Sequence, residues 1–469
     1  MLNYFPTYFS NRFISLYFVV LLVVSIVFFK HAMHWYWMLF GIVEVTCFFY
    51  FSNKLSVKWG DYSSKFFTKQ LFKTAFIIRA VVAIFLYFFF DYMTGQPFMF
   101  AAADSLGYHY EAEWIARLIS NDSLSVYFDY IAKQGGVSDV GYPFWLGIQY
   151  WVTSNSIIIA RIIKALLGAY TCVLIYKLAA RNFGESVGRM SAIFCMLMPN
   201  LIIYTGMHLK ETEMIFLTVA AVERIDFLLR ADKFSIKNMA MPLLLILSLF
   251  FFRTVLGAAA LFSLFSTLFL SSTKVVNLNR RVVVVIVSLL FVSYFMGGRI
   301  SDEIDRYWAD RDTNQETRLA DRARKGNEFA KYAGAAVFSP MIFTLPFPTM
   351  IETPNQEMFR MLHGGVFVKN MMSFFAILAF VLLILRNDWQ KHVLLMVFLV
   401  TYLGIIALSA FAHSERFHLL AVPFLLIFVA YGVSQINKKN IKYFNYWSIL
   451  MFVAIVGWSM FKLGGRGWI

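Results

Sequence analysis

RFISLYFVVLLVVSIVFFK, residues 12–30, carries one charge at each end and none between. A helix needs about 20 such residues to cross the hydrocarbon core of a bilayer. The same pattern recurs along the chain. Candidate spans run near 13–30, 32–52, 74–92, 156–177, 187–208, 214–229, 239–252, 254–272, 282–297, 371–386, 393–411, 419–435 and 445–462, about thirteen in all by that length criterion. Arg12 precedes the first run, but no small-residue cleavage site follows and a second run starts at once, so the first is read as a retained helix and not a signal peptide. The stretch YPFWLGIQYWVTSN (142–155) is too short to span and rich in Trp and Tyr, which suits an interfacial or re-entrant piece.

Composition agrees. Of 469 residues, 60% are hydrophobic and only 15% charged, with 52 Phe. Soluble domains are about half apolar and a quarter charged, so this chain has too little polar surface for a cytosolic enzyme, a disordered regulator, a collagen-like fibre or a disulfide scaffold. Cys47, Cys172 and Cys195 lie inside apolar runs without metal-ligand spacing and read as small core hydrophobes. The expected fold class is an all-α polytopic membrane protein. The net charge of +15 comes in short clusters between apolar runs, not on a continuous exposed face, which excludes nucleic acid as a partner and leaves membrane lipid.

Lys/Arg bias orients the chain. The 53–73 loop carries Lys54, Lys58, Lys65, Lys69 and Lys73 against Asp61; Lys274, Arg280 and Arg281 form another cluster, as do Lys438, Lys439 and Lys442, with smaller ones at Arg230/Lys233/Lys237 and Arg386/Lys391. With thirteen spans and a cytoplasmic N-terminus, all fall on one side, the arrangement expected of a multi-pass protein of the cell (inner) membrane. Four regions follow: 1–73, an N-terminal hairpin and basic loop; 74–297, a transmembrane core that includes the first outer loop with its interfacial piece, 93–155; 298–370, a large outer loop; and 371–469, C-terminal spans. The large loop alternates acids and bases densely, then turns apolar and Pro-punctuated (SPMIFTLPFPTMIETP, 339–354), as for an amphipathic helix followed by an irregular lid.

Four constellations at the outer boundary have chemical potential. In AAADSLGYHYEAEWIAR (101–117), Asp104, Tyr108, Glu111 and Ile115 fall near one helical face. Asp104 suits a general base for an acceptor hydroxyl or amine, a ligand to a divalent cation, or simply a helix N-cap. Lys210-Glu211-Thr212-Glu213 sits between two apolar runs. It is either a solvated hairpin tip or a phosphate-neutralising Lys beside an acid that binds acceptor or metal. Arg253, in LFFFRTVLG, either snorkels or grips a lipid phosphate. In AHSERFHLLAVP (412–423), His413 and His418 are wrongly spaced for a zinc pair, while Arg416 is either structural or a second phosphate ligand. Within the spans, Glu223, Arg224 and Asp226 lie close enough to pair mutually, and acids are too sparse at mid-depth for an ion relay.

Taken in order, Asp104…Tyr108-His109, GYPFWLGIQY (141–150), the stretch ARIIKALLGAYTC…LKETEMIFL (160–217), FFRTVLG (251–257) and ERFHLLAVPFLLIFVAYG (415–432) resemble bacterial family-39-type glycosyltransferases of the GT-C fold. That group includes protein O-mannosyltransferases and the lipid A aminoarabinose transferase. The resemblance covers about residues 74 to 435 and implies a GT-C-like bundle. It implies a sugar donor on a polyprenyl phosphate and a glycan, lipid or protein acceptor at the outer face. Asp104 corresponds to the catalytic or acceptor-binding acid and Glu211 to the second acid; Tyr108, His109, Glu111, Lys210, Arg253 and Arg416 become substrate-binding candidates. Asp104 is followed by Ser105 and not by the acid often seen there, so whether a divalent cation takes part stays open. A surface-polysaccharide polymerase or ligase using diphosphate-linked oligosaccharides, and a lipid-linked sugar flippase, are the alternatives.

Overall fold

A computed structural model describes residues 2–134, 138–230, 236–272, 281–288, 341–353, 356–409, 412–437 and 439–464. Most of the large outer loop (298–340), the second half of the span expected at 282–297, and Lys274, Arg280 and Lys438 lie outside the described residues.

The described chain is all-helical, with a single isolated bridge between Ala32 and Ile351 in place of any strand. In order the helices are α1 (Thr7–Val27), α2 (Trp35–Lys58), α3 (Ser64–Thr94), α4 (Ala103–Ser120), α5 (Ser125–Gln134), α6 (Gly141–Thr153), α7 (Ile157–Phe183), α8 (Glu185–Leu197), α9 (Pro199–Gly206), α10 (Glu211–Arg230), α11 (Ala240–Phe252), α12 (Thr254–Leu270), α13 (Glu357–Met361), α14 (His363–Leu385), α15 (Val393–Ala407), α16 (Glu415–His418), α17 (Val422–Ser434) and α18 (Ile441–Gly464). Six of these, α1, α2, α3, α7, α14 and α18, are long and apolar enough to cross a membrane, and the bent pair α8–α9 makes a seventh. Shorter apolar helices α11, α12, α15 and α17 stand beside them. The chain is a multi-pass membrane protein. Large apolar side chains such as Leu22, Phe88, Phe269 and Ile449 point outward, where only hydrocarbon suits them.

Local chemistry sets the ends. Ser63 caps α3 by accepting from the Phe66 amide at 3.4 Å, and the helix stops at Gly95, whose φ of 75° is open to glycine without strain. Between α8 and α9 the axis bends by 46° at Met198-Pro199. Pro199 has no N–H for the Cys195 carbonyl. The buried Arg79 of α3 supplies the missing donors instead, reaching the carbonyls of Cys195 at 3.0 Å and Met196 at 3.3 Å. At the other end of α9, Lys164 of α7 holds the carbonyls of Met207, at 2.7 Å, and Leu209. Two cations that look misplaced in the sequence thus fix one broken span.

Packing is close where side chains are small, the usual basis of helix association in lipid. The α7 helix packs on α3, α8 and α10, and α14 on α17 and α2. Gly432 of α17 lies directly on the Phe375 backbone of α14. Gly147 of α6 lies on Ile115 of α4, so α4 and α6 form a paired layer across one end of the bundle, and residues 142–155 are part of that layer. Cys172 and Cys195 are buried as expected, while Cys47 faces outward.

The described parts of the basic loops share one end. Arg189 binds the Trp59 carbonyl at 2.8 Å, Arg230 the Lys391 carbonyl, Arg386 the Gln435 side chain at 2.8 Å, and the Ser272 amide meets the Gln390 carbonyl at 3.3 Å. The trio in α10 is paired there: Arg181 bridges Glu223 at 2.5 Å and Asp226 at 2.9 Å, and Arg224 meets Glu223 at 2.7 Å.

The Pro-punctuated segment takes an unexpected place. It is irregular, as expected, but residues 341–353 are inlaid among the helices and do not lie over them; Leu345, Met350, Ile351 and Thr353 are fully buried. Irregular backbone at such depth must be satisfied by protein. Ser373 donates to the Phe343 carbonyl at 2.7 Å, Asn370 to those of Thr344 and Pro346, and Lys369 to that of Leu345. Helix α14 accordingly begins at His363, inside the region expected to be loop.

Candidate functional site

At the end of the bundle opposite the basic loops, the α4–α6 layer meets the starts of α10, α12 and α16. The cap position of α4 is Ala102, without a side-chain cap bond, so Asp104 is not a cap. It stands in the first turn, where a carboxylate suits the helix dipole, and its side chain reaches across to Arg416.

Arg416 is carried by the single turn α16. Glu415, the residue before it, points inward and accepts from the Asn200 amide at 2.5 Å, which anchors the turn to α9. Arg416 then faces two acids. Its Nη1 donates to Asp104 and its Nε to Glu211. Asp104 is 55% exposed, Arg416 20% and Glu211 1%, so the guanidinium joins a surface acid to a buried one. Burial alone would disfavour its charge, but Glu211 and Asp104 more than offset this and hold its pKa above the ordinary range. The gap between the two carboxylates is thereby filled by a cation from the protein itself. Among the described residues no cluster of three or more His, Cys, Asp or Glu side chains is placed to hold a metal.

Lys210 and Glu211 are both buried and do not form a solvated tip. Lys210 pairs with Asp139, which is 58% exposed, approaches the Phe252 carbonyl at 3.5 Å, and lies 5.8 Å from the centre of the Tyr108 ring. Burial, together with the charge of Arg253, lowers its pKa to about 7. Arg253 interrupts α11 and α12 with an extended backbone (φ −166°). Its guanidinium lies 4.3 Å from the Phe417 ring centre. Among the described residues its Nη1 and the Glu211 Oε2 are buried without a hydrogen-bond partner, and unmet groups of that kind are expensive unless a ligand completes them.

Tyr108 also belongs here. Its ring meets Tyr142 edge-on at 5.0 Å, and burial raises its pKa to about 12 although the nearby Arg416 charge opposes the shift. Its hydroxyl is thus neutral near pH 7. His109 and Glu111 point elsewhere. His109 bonds Tyr150 at 2.7 Å and approaches Glu113 at 3.4 Å, and Tyr150 in turn meets His208 at 3.2 Å; burial lowers the His109 pKa, so the ring is neutral near pH 7. Glu111 accepts from Tyr127 of α5 at 3.1 Å.

The structure therefore gathers Asp104, Tyr108, Lys210, Glu211, Arg253 and Arg416, and sets His109 and Glu111 apart. Sequence reasoning missed Asp139, whose partner lies far along the chain. It also missed Tyr142, whose ring lies between Tyr108 and Lys164. Lys164 itself is 3.8 Å from Glu213, and its position inside an apolar run was the available signal. Comparison with family models, curated proteins and solved structures finds no match to this chain.

Proposed function

We propose that the protein is a membrane glycosyltransferase of the GT-C type that moves a sugar from a polyprenyl-phosphate donor to a glycan, lipid or protein acceptor. On this reading the N-terminus and the basic loops are cytoplasmic, and the Asp104 end opens on the outer face of the cell membrane. The observation that carries the reading is that Arg416 holds Asp104 and Glu211 together, with Lys210 and Arg253 alongside, at a membrane boundary where a lipid carrier presents its phosphate.

The chemistry needs three things. Asp104, the exposed acid, takes the proton from the acceptor hydroxyl as that oxygen attacks the anomeric carbon. The bond from that carbon to the phosphate oxygen breaks, and the leaving phosphate gains negative charge. Arg416, Arg253 and protonated Lys210 meet that charge in a partly dry site, where fixed cations are most effective. Glu211, buried and ion-paired, keeps the Arg416 fork oriented. An arriving phosphate competes with the exposed carboxylates of Asp104 and Asp139 for the cations they now hold, which frees Asp104 to act as base.

The test is transfer by the purified protein and its Asp104→Asn form, with polyprenyl monophosphate sugars and diphosphate-linked oligosaccharides as separate donors. Transfer from the monophosphate donor that disappears in the variant supports the proposal. Equal rates in both proteins remove Asp104 from the mechanism, and transfer only from the diphosphate donor points to a polymerase or ligase.

A further inference from the structure

At the basic end of the bundle, far from Asp104, the first turns of α3 and the facing surface of α7 flank a shallow, open groove of about 540 Å³ lined by Lys65, Thr68, Lys69, Phe72, Tyr170 and Val173. Its two sides differ in chemistry. Lys65 and Lys69 stand one turn apart at its rim, and Lys73 continues the row by another turn. On α7, Lys177 follows Tyr170 by two turns on the same face. Deeper along the groove the walls are Phe72, Tyr170 and Val173. The Tyr170 ring lies 6.2 Å from that of Phe216 on α10, which closes that flank.

Three observations bear on an occupant. All four lysines are exposed, and none makes an ion pair among the described residues; of the acids near the start of α3, Asp61 lies before its first turn, and Glu185, which accepts from Ser64 at 3.0 Å, is already paired with Arg189 at 2.8 Å. The first turn of α3 holds no acidic residue and places Lys65 where the helix dipole is already positive, an arrangement that repels cations and attracts anions. Of the walls, Tyr170 is exposed on α7, Phe72 is half-buried on α3 and Val173 forms the buried floor; both helices qualify as membrane spans, so the groove opens to lipid.

From these we infer that the α3–α7 groove is a binding site for an anionic glycerophospholipid, with the phosphate headgroup among Lys65, Lys69, Lys73 and Lys177 and an acyl chain along Phe72, Tyr170 and Val173. Polybasic rims next to a span draw acidic headgroups, and the groove adds a place for the chain. The site is independent of the sugar-transfer reading, because none of its residues touches the Asp104 end.

The experiment is native mass spectrometry of the detergent-purified full chain, titrated with phosphatidylglycerol or phosphatidylcholine. The expected result is one tightly held phosphatidylglycerol, with phosphatidylcholine about tenfold weaker or less, given the headgroup attraction of several lysines. Lys65→Gln/Lys69→Gln/Lys73→Gln should lose this preference. The matching Arg variant should keep it, as should Lys438→Gln/Lys439→Gln/Lys442→Gln, which removes the same charge elsewhere. Equal binding of the two lipids by the wild type overturns the inference. So does an unchanged preference in the α3 glutamine variant, or the same loss in both glutamine variants, which would show general charge attraction without a site.

Discussion

Glu211 and Arg416 stand 205 residues apart in the chain and are joined side chain to side chain, carboxylate Oε1 to guanidinium Nε, with the carboxylate fully enclosed. A pair of this kind is most informative when one member is removed. Arg416→Ala should leave Glu211 as an uncompensated buried charge, for which about 3–5 kcal/mol of destabilisation is typical. Thermal unfolding in detergent checks it. A loss under about 1 kcal/mol would mean that solvent reaches Glu211.

Asp104 bonds the same guanidinium from the exposed side. Asp104→Asn should change stability little, since exposed pairs contribute about 0–1 kcal/mol, while transfer should fall by about 10²–10⁴-fold, the range for loss of a general base. Comparing unfolding with turnover in this variant and in Arg416→Ala separates a chemical role from a structural one.

Lys210 predicts a pH dependence. Burial brings its pKa down to about 7 from 10.5, so its positive charge fades as pH rises through 7, and donor affinity should fall over the same interval. The stability effect has the opposite sign. Between about pH 7 and 10.5 the unfolded chain holds the proton and the folded chain does not, so folding stability rises with pH across that window. Lys210→Met should flatten both profiles, as measured by KM for the donor and by unfolding at matched pH.

Arg79 caps a broken helix and touches nothing at the candidate site. Arg79→Leu leaves the carbonyls of Cys195 and Met196 without their outside donor, and about 1–3 kcal/mol per orphaned group is expected. Activity per folded molecule should be unchanged at low temperature.

Gly432 makes a packing prediction. An added Cβ would overlap the Phe375 carbonyl, and overpacking typically costs about 1–3 kcal/mol. Gly432→Ala should therefore lower the unfolding temperature. Gly457→Ala, at an open helix position, should not lower it.

Much of this architecture was legible because lipid imposes one rule: a long apolar run becomes a helix. Among the expected spans, 13–30, 74–92 and 156–177 each fall within or on a long helix, and the basic clusters at Arg386 and Arg230 meet at one end. The candidate acids were legible as charges beside apolar runs. Three features were not. The Arg79 caps depend on where Pro199 bends the chain, a tertiary fact. The Asp139–Lys210 pair joins a loop acid to a turn through the folding of α4–α6, which no spacing encodes. The inlaid segment 341–353 looked like a surface lid because its partners, Lys369, Asn370 and Ser373, were read as belonging to a loop or to an ordinary span.

That segment constrains biogenesis. Its carbonyls are satisfied by side chains that the ribosome makes later, on α14. Until those residues emerge, the bare backbone of 341–353 has no acceptable home in hydrocarbon, so it must wait in a wet environment and enter with or after its partner. Assembly in the membrane is then not strictly N-to-C, and a chain truncated just before Lys369 should present this stretch to proteases that the finished protein excludes.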